Sequence, residues 1–295
     1  MMVSHIALRA ASALLVGMLA FPVAAAQEQT PGIVVTGAPL PSPKEVRSYV
    51  GDISRATDGQ LARYHDPVCP DAIGIAPEFA AKITIRLRKV AERAGATLDK
   101  PDCAANVMVV IAPDGRQFLE GLRKGKPAAF RGMASAEIDR LFASSGPVRV
   151  FQVNELRDEA GHRIGDPAAP LAGNRYSNVT QARSASLITL PTLRATLRAV
   201  VVFDEQATIG KGLDQLADYA AMRTLGGAQP PRRDGTSRDT ILTLFDAGAT
   251  PPRRLTTLDL AYLQGLYRAP ANAPAVEQEN AIARSIVRAA EQPAP

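Results

Sequence analysis

The chain is 295 residues long, which predicts one or two domains with enough length to bury a real core. Apolar residues make up 46% and charged residues 21%, a composition typical of globular proteins and unlike disordered, collagen-like or coiled-coil chains. The 34 Lys and Arg residues exceed the 29 Asp and Glu residues by five. That excess is too small to indicate a nucleic-acid partner by itself.

Residues 1–26 have the features of a secretory signal peptide. Arg9 precedes an apolar run over residues 10–20, and Ala24 and Ala26 supply the small residues that cleavage requires. The run is shorter than the roughly 20 residues needed to cross a bilayer, which argues against the alternative of an uncleaved anchor. We therefore expect a periplasmic or secreted protein with no membrane span after cleavage.

The rest of the chain divides into three parts by composition. Residues 27–41 are rich in Pro and Gly and predict a loose leader, and residues 42–268 predict a single domain. Within that domain, residues 158–182 form a polar excursion long enough to be a functional loop. Residues 269–295 predict an amphipathic helix and a tail, with apolar positions at Val276, Ile282, Ile286 and Val287.

Both cysteines, Cys69 and Cys103, follow the predicted signal peptide. In an exported chain an isolated pair predicts one disulfide, here closing a loop of about 34 residues. The alternative is a reactive thiol. It is disfavoured because neither residue belongs to a CxxC motif, although His65 lies four residues before Cys69.

The helices near the start of the domain carry clear boundary signals. Ser42 and Glu45 form a capping box around Pro43, which predicts a helix over residues 43–56. Pro77 opens the most regular amphipathic pattern of the chain, over residues 77–94, and Gly95 ends it as a left-handed cap.

The middle of the chain alternates predicted strands and helices. Asn106 to Ile111 predicts a strand buried on both faces, and strands also follow at Val148 to Val153 and Leu197 to Phe203. Between them, Asp114 predicts a helix to about Gly121 followed by a basic loop at residues 123–126, and Ser135 is expected to cap a helix ending at Ala143. The interleaving predicts a mixed α/β domain.

The helix at residues 77–94 carries a basic side opposite its apolar stripe, formed by Lys82, Arg86, Lys89 and Arg93. The simplest interpretation is a solvated face. The alternative is recognition of anionic envelope polymers by these residues or by Arg123 to Arg131, and binding that falls steeply with salt would support it.

The C-terminal third has a distinctive order of elements. Leu213 to Leu225 predicts a helix with one apolar face, and Gly226-Gly227 ends it. A short apolar turn follows at residues 238–245. A second helix then begins with Thr256 as N-cap and Asp259 at the third position.

This arrangement resembles the end of metzincin-type zinc peptidases, especially the matrixin-like branch. There a strand precedes an active-site helix HExxHxLG, a turn of the type S-I-M and a closing helix of the type LTxxDxxxLxxLY. Leu225-Gly226 is similar to the end of the active-site helix, and Thr240-Ile241-Leu242 to the turn. The resemblance covers about residues 75–268 and implies a zincin-like fold. The closing helix matches at Leu255, Thr256, Asp259, Leu263, Leu266 and Tyr267.

The resemblance also places the residues that would hold zinc, and none of them is a metal ligand of that family. The first ligand position is Tyr219, the general base is Ala220, the second ligand is Arg223 and the third is Gln229. A methyl group takes up no proton, and a guanidinium is permanently cationic and only donates. We therefore expect no metal, no cofactor and no peptidase chemistry.

Two interpretations of the degenerate cleft remain open. Tyr219 and Arg223, with Asp218, could form a small polar pocket that accepts an anion. Alternatively, Arg223 pairs with a carboxylate such as Asp239 or Asp259 and fills the former cleft.

The remaining sequence favours a binding or scaffold protein of the envelope with an unidentified protein or polymer partner. It contains no GxSxG, GxxxxGK[ST], GxGxxG or CxxC motif. The rival hypothesis is a hydrolase with a non-standard site, or one with a metal held by His65, His162 and carboxylates.

Overall fold

A computed structural model describes residues 42–164, 189–232 and 239–291. The predicted signal peptide, the leader, most of the predicted polar excursion and Arg238 lie outside the described residues. In chain order the helices are α1 Pro43–Ile53, α2 Pro77–Ala94, α3 Gly115–Gly125, α4 Ser135–Ala143, α5 Glu205–Thr208, α6 Leu213–Leu225, α7 Thr257–Arg268 and α8 Ala275–Glu291. The strands are β1 Ala56–Thr57, β2 Gln60–Leu61, β3 Pro70–Ile73, β4 Val107–Ala112, β5 Val148–Asp158 and β6 Thr192–Asp204. Short 3-10 turns occupy Pro127–Phe130 and Ile241–Thr243.

The central sheet has the strand order β3-β4-β6-β5. The first three strands are parallel, and β5 runs antiparallel to β6 along one edge. Strand β4 is buried on both sides, as its uninterrupted apolar sequence predicts, because helices cover both faces of the sheet. The predicted mixed α/β class and the Cys69–Cys103 disulfide are confirmed.

Alternate residues of the strands enter two separate apolar clusters. Val109 and Val201 face the larger cluster, which also contains the buried sides of α1, α2, α6, α7 and α8. Their neighbours Val110 and Val202 face a smaller cluster, where Leu119 of α3 and Leu141 of α4 are buried. This alternation follows from the two-residue period of a strand.

Several predicted boundaries are confirmed. Ser42 and Glu45 form the capping box of α1, and Gly95 ends α2 with a φ of 92°. Thr256 caps α7 by accepting a hydrogen bond from the backbone N–H of Asp259 at 3.1 Å. These motifs could be read from the sequence because each one satisfies backbone groups within a single helical turn.

Two predictions in the middle of the chain are wrong. The predicted basic loop at residues 123–126 is instead the last turn of α3 and its C-cap, because the apolar contacts of Leu119 continue through Leu122 past Gly121. Helix α4 is flanked by Ala134 and not capped by Ser135. The Glu137 carboxylate accepts a hydrogen bond from the Ala134 backbone N–H at 3.4 Å, one residue earlier than predicted.

Helix α8 packs closely on α7 at Gly265. A Cβ atom at this position would lie 2.6 Å from the Ile282 Cα, so only glycine permits this approach. Gln278, also on α8, is wholly buried, and its Oε1 accepts from the backbone N–H of Leu61 at 2.7 Å.

Within the three described ranges, no helix is both long enough and apolar enough to cross a membrane.

Candidate functional site

Helix α6 lies at the centre of the candidate site. The sequence predicted one apolar face, but every residue from Leu216 to Leu225 is buried, including Asp218, Thr224 and Arg223. The difference arises because the sheet, α2 and α7 surround the helix, and the buried polar side chains find partners either on α6 itself or on neighbouring elements. Thr224, for example, donates its hydroxyl to the Ala220 carbonyl at 2.7 Å.

Three of the predicted cleft residues lie together around the end of α6. One terminal nitrogen of Arg223 donates to the Tyr219 hydroxyl at 2.7 Å, and the other donates to Gln229 Oε1 at 3.2 Å. Arg223 is 8% exposed, and its buried Nε has no hydrogen-bond partner among the described residues. Both hydrogen-bond acceptors that the described residues offer to the guanidinium are therefore neutral.

The prediction that Arg223 pairs with Asp239 or Asp259 is wrong. Asp259 accepts instead from the Thr240 hydroxyl at 2.6 Å and the Ile241 backbone N–H at 2.9 Å, which ties the 3-10 turn to α7. Burial raises the pKa of Asp259, and these hydrogen bonds oppose the rise. Asp239 is exposed.

Tyr219 forms the inner wall behind Arg223. Its ring packs against Phe245 and Phe203, with centroids 5.0 and 5.9 Å away. Burial raises the pKa of Tyr219, and the charge of Arg223 acts in the opposite direction. The hydroxyl therefore stays protonated at neutral pH and accepts from the guanidinium.

Asp218 does not belong to this group, which corrects the predicted cleft. It is fully buried on another side of α6, where its two oxygens accept from Arg86 Nε at 2.7 Å and Arg86 Nη2 at 2.8 Å. The Leu255 backbone N–H donates to the same carboxylate at 2.6 Å. Arg86 is thus a structural residue of α2 and not part of a freely solvated face.

A pocket of about 230 Å³ opens beside Arg223 and Gln229. Its other walls come from β5, α4 and the segment after α1, and Gly227 closes one end with a φ of 59°. Gln152 of β5 fixes the end of α6 by donating to the Thr224 carbonyl at 2.9 Å. The charged residues that line the pocket are Arg55, Glu137, Arg140, Arg149 and Arg223.

The pocket carries an excess of positive charge. Arg149 pairs with Asp204 at 2.8 Å, and Arg55 lies 3.5 Å from Glu137. Neither Arg140 nor Arg223 forms an ion pair within the part of the chain that the structure describes. In addition, Asn154 Oδ1, a buried acceptor in the wall, has no hydrogen-bond partner there. The unpaired cations can therefore receive a negatively charged group, whereas Asn154 Oδ1 needs a hydrogen-bond donor.

The two histidines of the domain lie outside this pocket. His162 is exposed, with Nδ1 3.1 Å from Asp158. His65 lies beside Arg157, which pairs with Asp66 and Glu155. Among the described residues, no three His, Cys, Asp or Glu side chains are grouped so that they could hold a metal ion.

The environment of His65 predicts a pH effect on stability. Burial, assisted by the charges of Arg63 and Arg157, lowers its pKa to about 4. Between about pH 6.5 and pH 4 the unfolded chain binds a proton that the folded chain does not, so stability falls as the pH falls. As the pH falls through this range, the free energy of unfolding of the His65→Asn variant should decrease by about 1–2 kcal/mol less than that of the original protein. This magnitude allows for the partial solvent access of His65.

Urea unfolding of the His65→Asn variant and the original protein at pH 7 and pH 4.5 measures this difference. His162→Asn is the control, because it removes an imidazole whose ring is exposed. If the free energy of unfolding changed equally between pH 7 and pH 4.5 in all three proteins, that result would contradict a neutral, half-buried His65.

Comparison of the chain with protein-family models, with curated proteins and with solved structures finds no match. The metzincin-like resemblance therefore rests on the sequence motifs and stays a prediction.

Proposed function

We propose that the protein is an exported, non-catalytic binding protein on a peptidase-like scaffold, and that its pocket beside Arg223 accepts an anionic group of an envelope protein or polymer. The observation that carries this proposal is the Arg223 guanidinium. It is nearly buried, it lines an open pocket, and its hydrogen-bond partners are a phenol and an amide. A buried cation of this kind is most stable when a carboxylate or phosphate joins it.

The size of the pocket favours the end of a larger partner over a whole cofactor. Small-molecule sites usually measure about 300–1,000 Å³. At about 230 Å³ this pocket is smaller. It has room for about eight water molecules at about 30 Å³ each, which matches a carboxylate with a short neighbouring segment.

The edge of the sheet offers a place for the rest of such a partner. Strand β5 forms that edge, and Val150, Gln152 and Asn154 lie both on β5 and in the pocket wall. An extended peptide can pair with an edge strand through main-chain hydrogen bonds. A chain terminus paired along β5 would bring its carboxylate to Arg223.

The non-catalytic part of the proposal is supported by the chemistry of α6. Ala220 is fully buried and holds no proton-transfer group, and Tyr219 and Arg223 are bound to each other.

Export is supported by the disulfide, since such bonds persist mainly in oxidising compartments. The scaffold part of the proposal rests on the sequence resemblance alone.

The proposal predicts that a peptide with a free carboxylate binds and that Arg223 is required. We expect N-acetyl-trialanine to bind the mature protein and its C-terminal amide to bind at least about ten-fold more weakly, which corresponds to about 1.4 kcal/mol. Arg223→Gln should remove the preference for the free acid. Titration followed by NMR chemical shifts measures both affinities.

Arg284→Gln is the matched control, since it removes one exposed cation from α8 and should leave binding unchanged. A large loss of Tm in Arg223→Gln with peptide affinity intact would instead show that Arg223 only fills the cleft. Stoichiometric zinc that survives dialysis of the purified protein would favour the rival metal-dependent hydrolase.

A further inference from the structure

A second, larger recess lies on the other side of α6, away from Arg223. It has a volume of about 1,100 Å³ and is bounded by α2, by the start of α6 and by residues 251–254. Three separate segments of the chain contribute its cations, which are Lys82, Arg86, Lys89, Lys211, Arg253 and Arg254. We call this recess the basic groove.

The walls of the basic groove are tied together by one buried carboxylate. Asp218 binds Arg86 of α2 through both oxygens and accepts from the Leu255 backbone N–H, immediately after Arg254. On the remaining wall, Lys211 Nζ lies 5.1 Å from the ring centroid of Phe245. Asp218 therefore ties the backbone segment after Arg254 to α2 at this recess.

Most of this charge has no internal counter-charge. Arg86 is neutralised by Asp218, and Arg254 lies 3.4 Å from Asp214. In the three described ranges, the other four cations form no ion pair; they are Lys82, Lys89, Lys211 and Arg253. Like charges around one recess repel each other, so an anion that enters it is attracted by all of them.

We propose that the basic groove binds a linear polyanion that carries phosphate groups. A concave recess fits a chain better than it fits a flat membrane surface. Three of the four cations without an ion pair are lysines, and lysine binds phosphate groups as a compact point charge.

The spacing along α2 indicates how such a chain would lie. Lys82 and Lys89 are seven residues apart, which is about 10 Å along a helix. Between them Ile85 lines the groove and is 54% exposed, so it can contact an uncharged part of the polymer. The described residues that line the groove include no aromatic side chain to stack on a nucleobase.

The test uses long-chain inorganic polyphosphate and a variant without three exposed cations of the groove. Lys82→Gln, Lys89→Gln and Arg253→Gln are combined, because these residues lie on both walls and their exposed side chains form no hydrogen bond with any described residue. We expect labelled polyphosphate to bind the mature protein and the triple variant to bind at least ten-fold more weakly. Binding by the original protein should weaken steeply from about 50 to about 200 mM NaCl.

The matched control removes the same charge elsewhere, through Lys44→Gln, Lys100→Gln and Arg288→Gln, and should change the affinity less than two-fold. Arg223→Gln should also leave it unchanged, which separates this proposal from the one above. Equal weakening in both triple variants would overturn the proposal, as it would show an effect of net charge alone. Tighter binding of phosphatidylglycerol vesicles or of oligothymidylate than of polyphosphate would overturn it as well.

Discussion

Replacing Arg86 by Met should lower the free energy of unfolding by about 3–5 kcal/mol at pH 7. The reason is that Asp218 has no exposed surface, whereas its partner Arg86 is 18% exposed. The hydrogen bonds that Arg86 donates to Asp218 raise the pKa of Arg86, so its guanidinium stays charged. Without Arg86, a buried carboxylate would retain only the Leu255 backbone N–H as a donor.

The pH dependence of the Arg86→Met variant provides a second readout. With the cation removed, the buried carboxylate has no counter-charge, and burial without a counter-charge favours the neutral acid over the anion. If the pKa of a carboxyl group is higher in the folded chain than in the unfolded chain, the free energy of unfolding decreases as the pH rises from the lower to the higher of these two values. The difference between the variant and the original protein should therefore shrink as the pH is lowered.

Two further variants test the origin of this effect by urea unfolding. Arg86→Met combined with Asp218→Leu removes the buried charge as well and should recover most of the lost stability, apart from the unpaired Leu255 N–H. Lys89→Met, on the exposed side of the same helix, should change stability by less than about 0.5 kcal/mol. A loss below about 1 kcal/mol in Arg86→Met would contradict a structural role for the pair.

The Arg86–Asp218 pair also shows what the sequence could not predict. The amphipathic pattern of α2 correctly gave its ends and its apolar stripe, because those depend on spacing within one helix. The same pattern assigned Arg86 to a solvated face. Its partner lies 132 residues further along the chain, and no local signal pairs them.

The candidate site likewise contains some residues that the sequence could predict and others that it could not. The motif spacing named Tyr219, Arg223 and Gln229, and the fold brings these three together. It could not name Arg140 or Gln152, because these residues reach the pocket only through the packing of α4 and β5 against the end of α6. Their signals in the sequence are those of ordinary surface residues.

The disulfide lies where backbone hydrogen bonds already hold the chain. Cys69 is buried at the start of β3, and its carbonyl accepts from the backbone N–H groups of Asn106 and Val107 at 2.9 and 3.1 Å. The Asn106 side chain accepts from the Cys69 backbone N–H at 2.8 Å. These bonds should keep the segment folded when the disulfide is absent, so the disulfide acts mainly on the unfolded chain.

Replacing Cys69 and Cys103 together by Ala should therefore lower the free energy of unfolding by about 4 kcal/mol. This magnitude follows from chain-entropy loss for a loop of 34 residues in the unfolded state. The urea m-value should rise, since the unfolded chain without the cross-link exposes more surface. Equilibrium unfolding of the double variant measures both quantities.

The original protein unfolded in dithiothreitol is the control and should reproduce the midpoint and the slope of the double variant. The rival hypothesis of a reactive thiol predicts another outcome, in which native protein purified without reductant reacts with a thiol reagent and the variant keeps its stability. Because the hydrogen bonds of Asn106 persist in the variant, an intact fold with reduced stability would assign the whole loss to the cross-link.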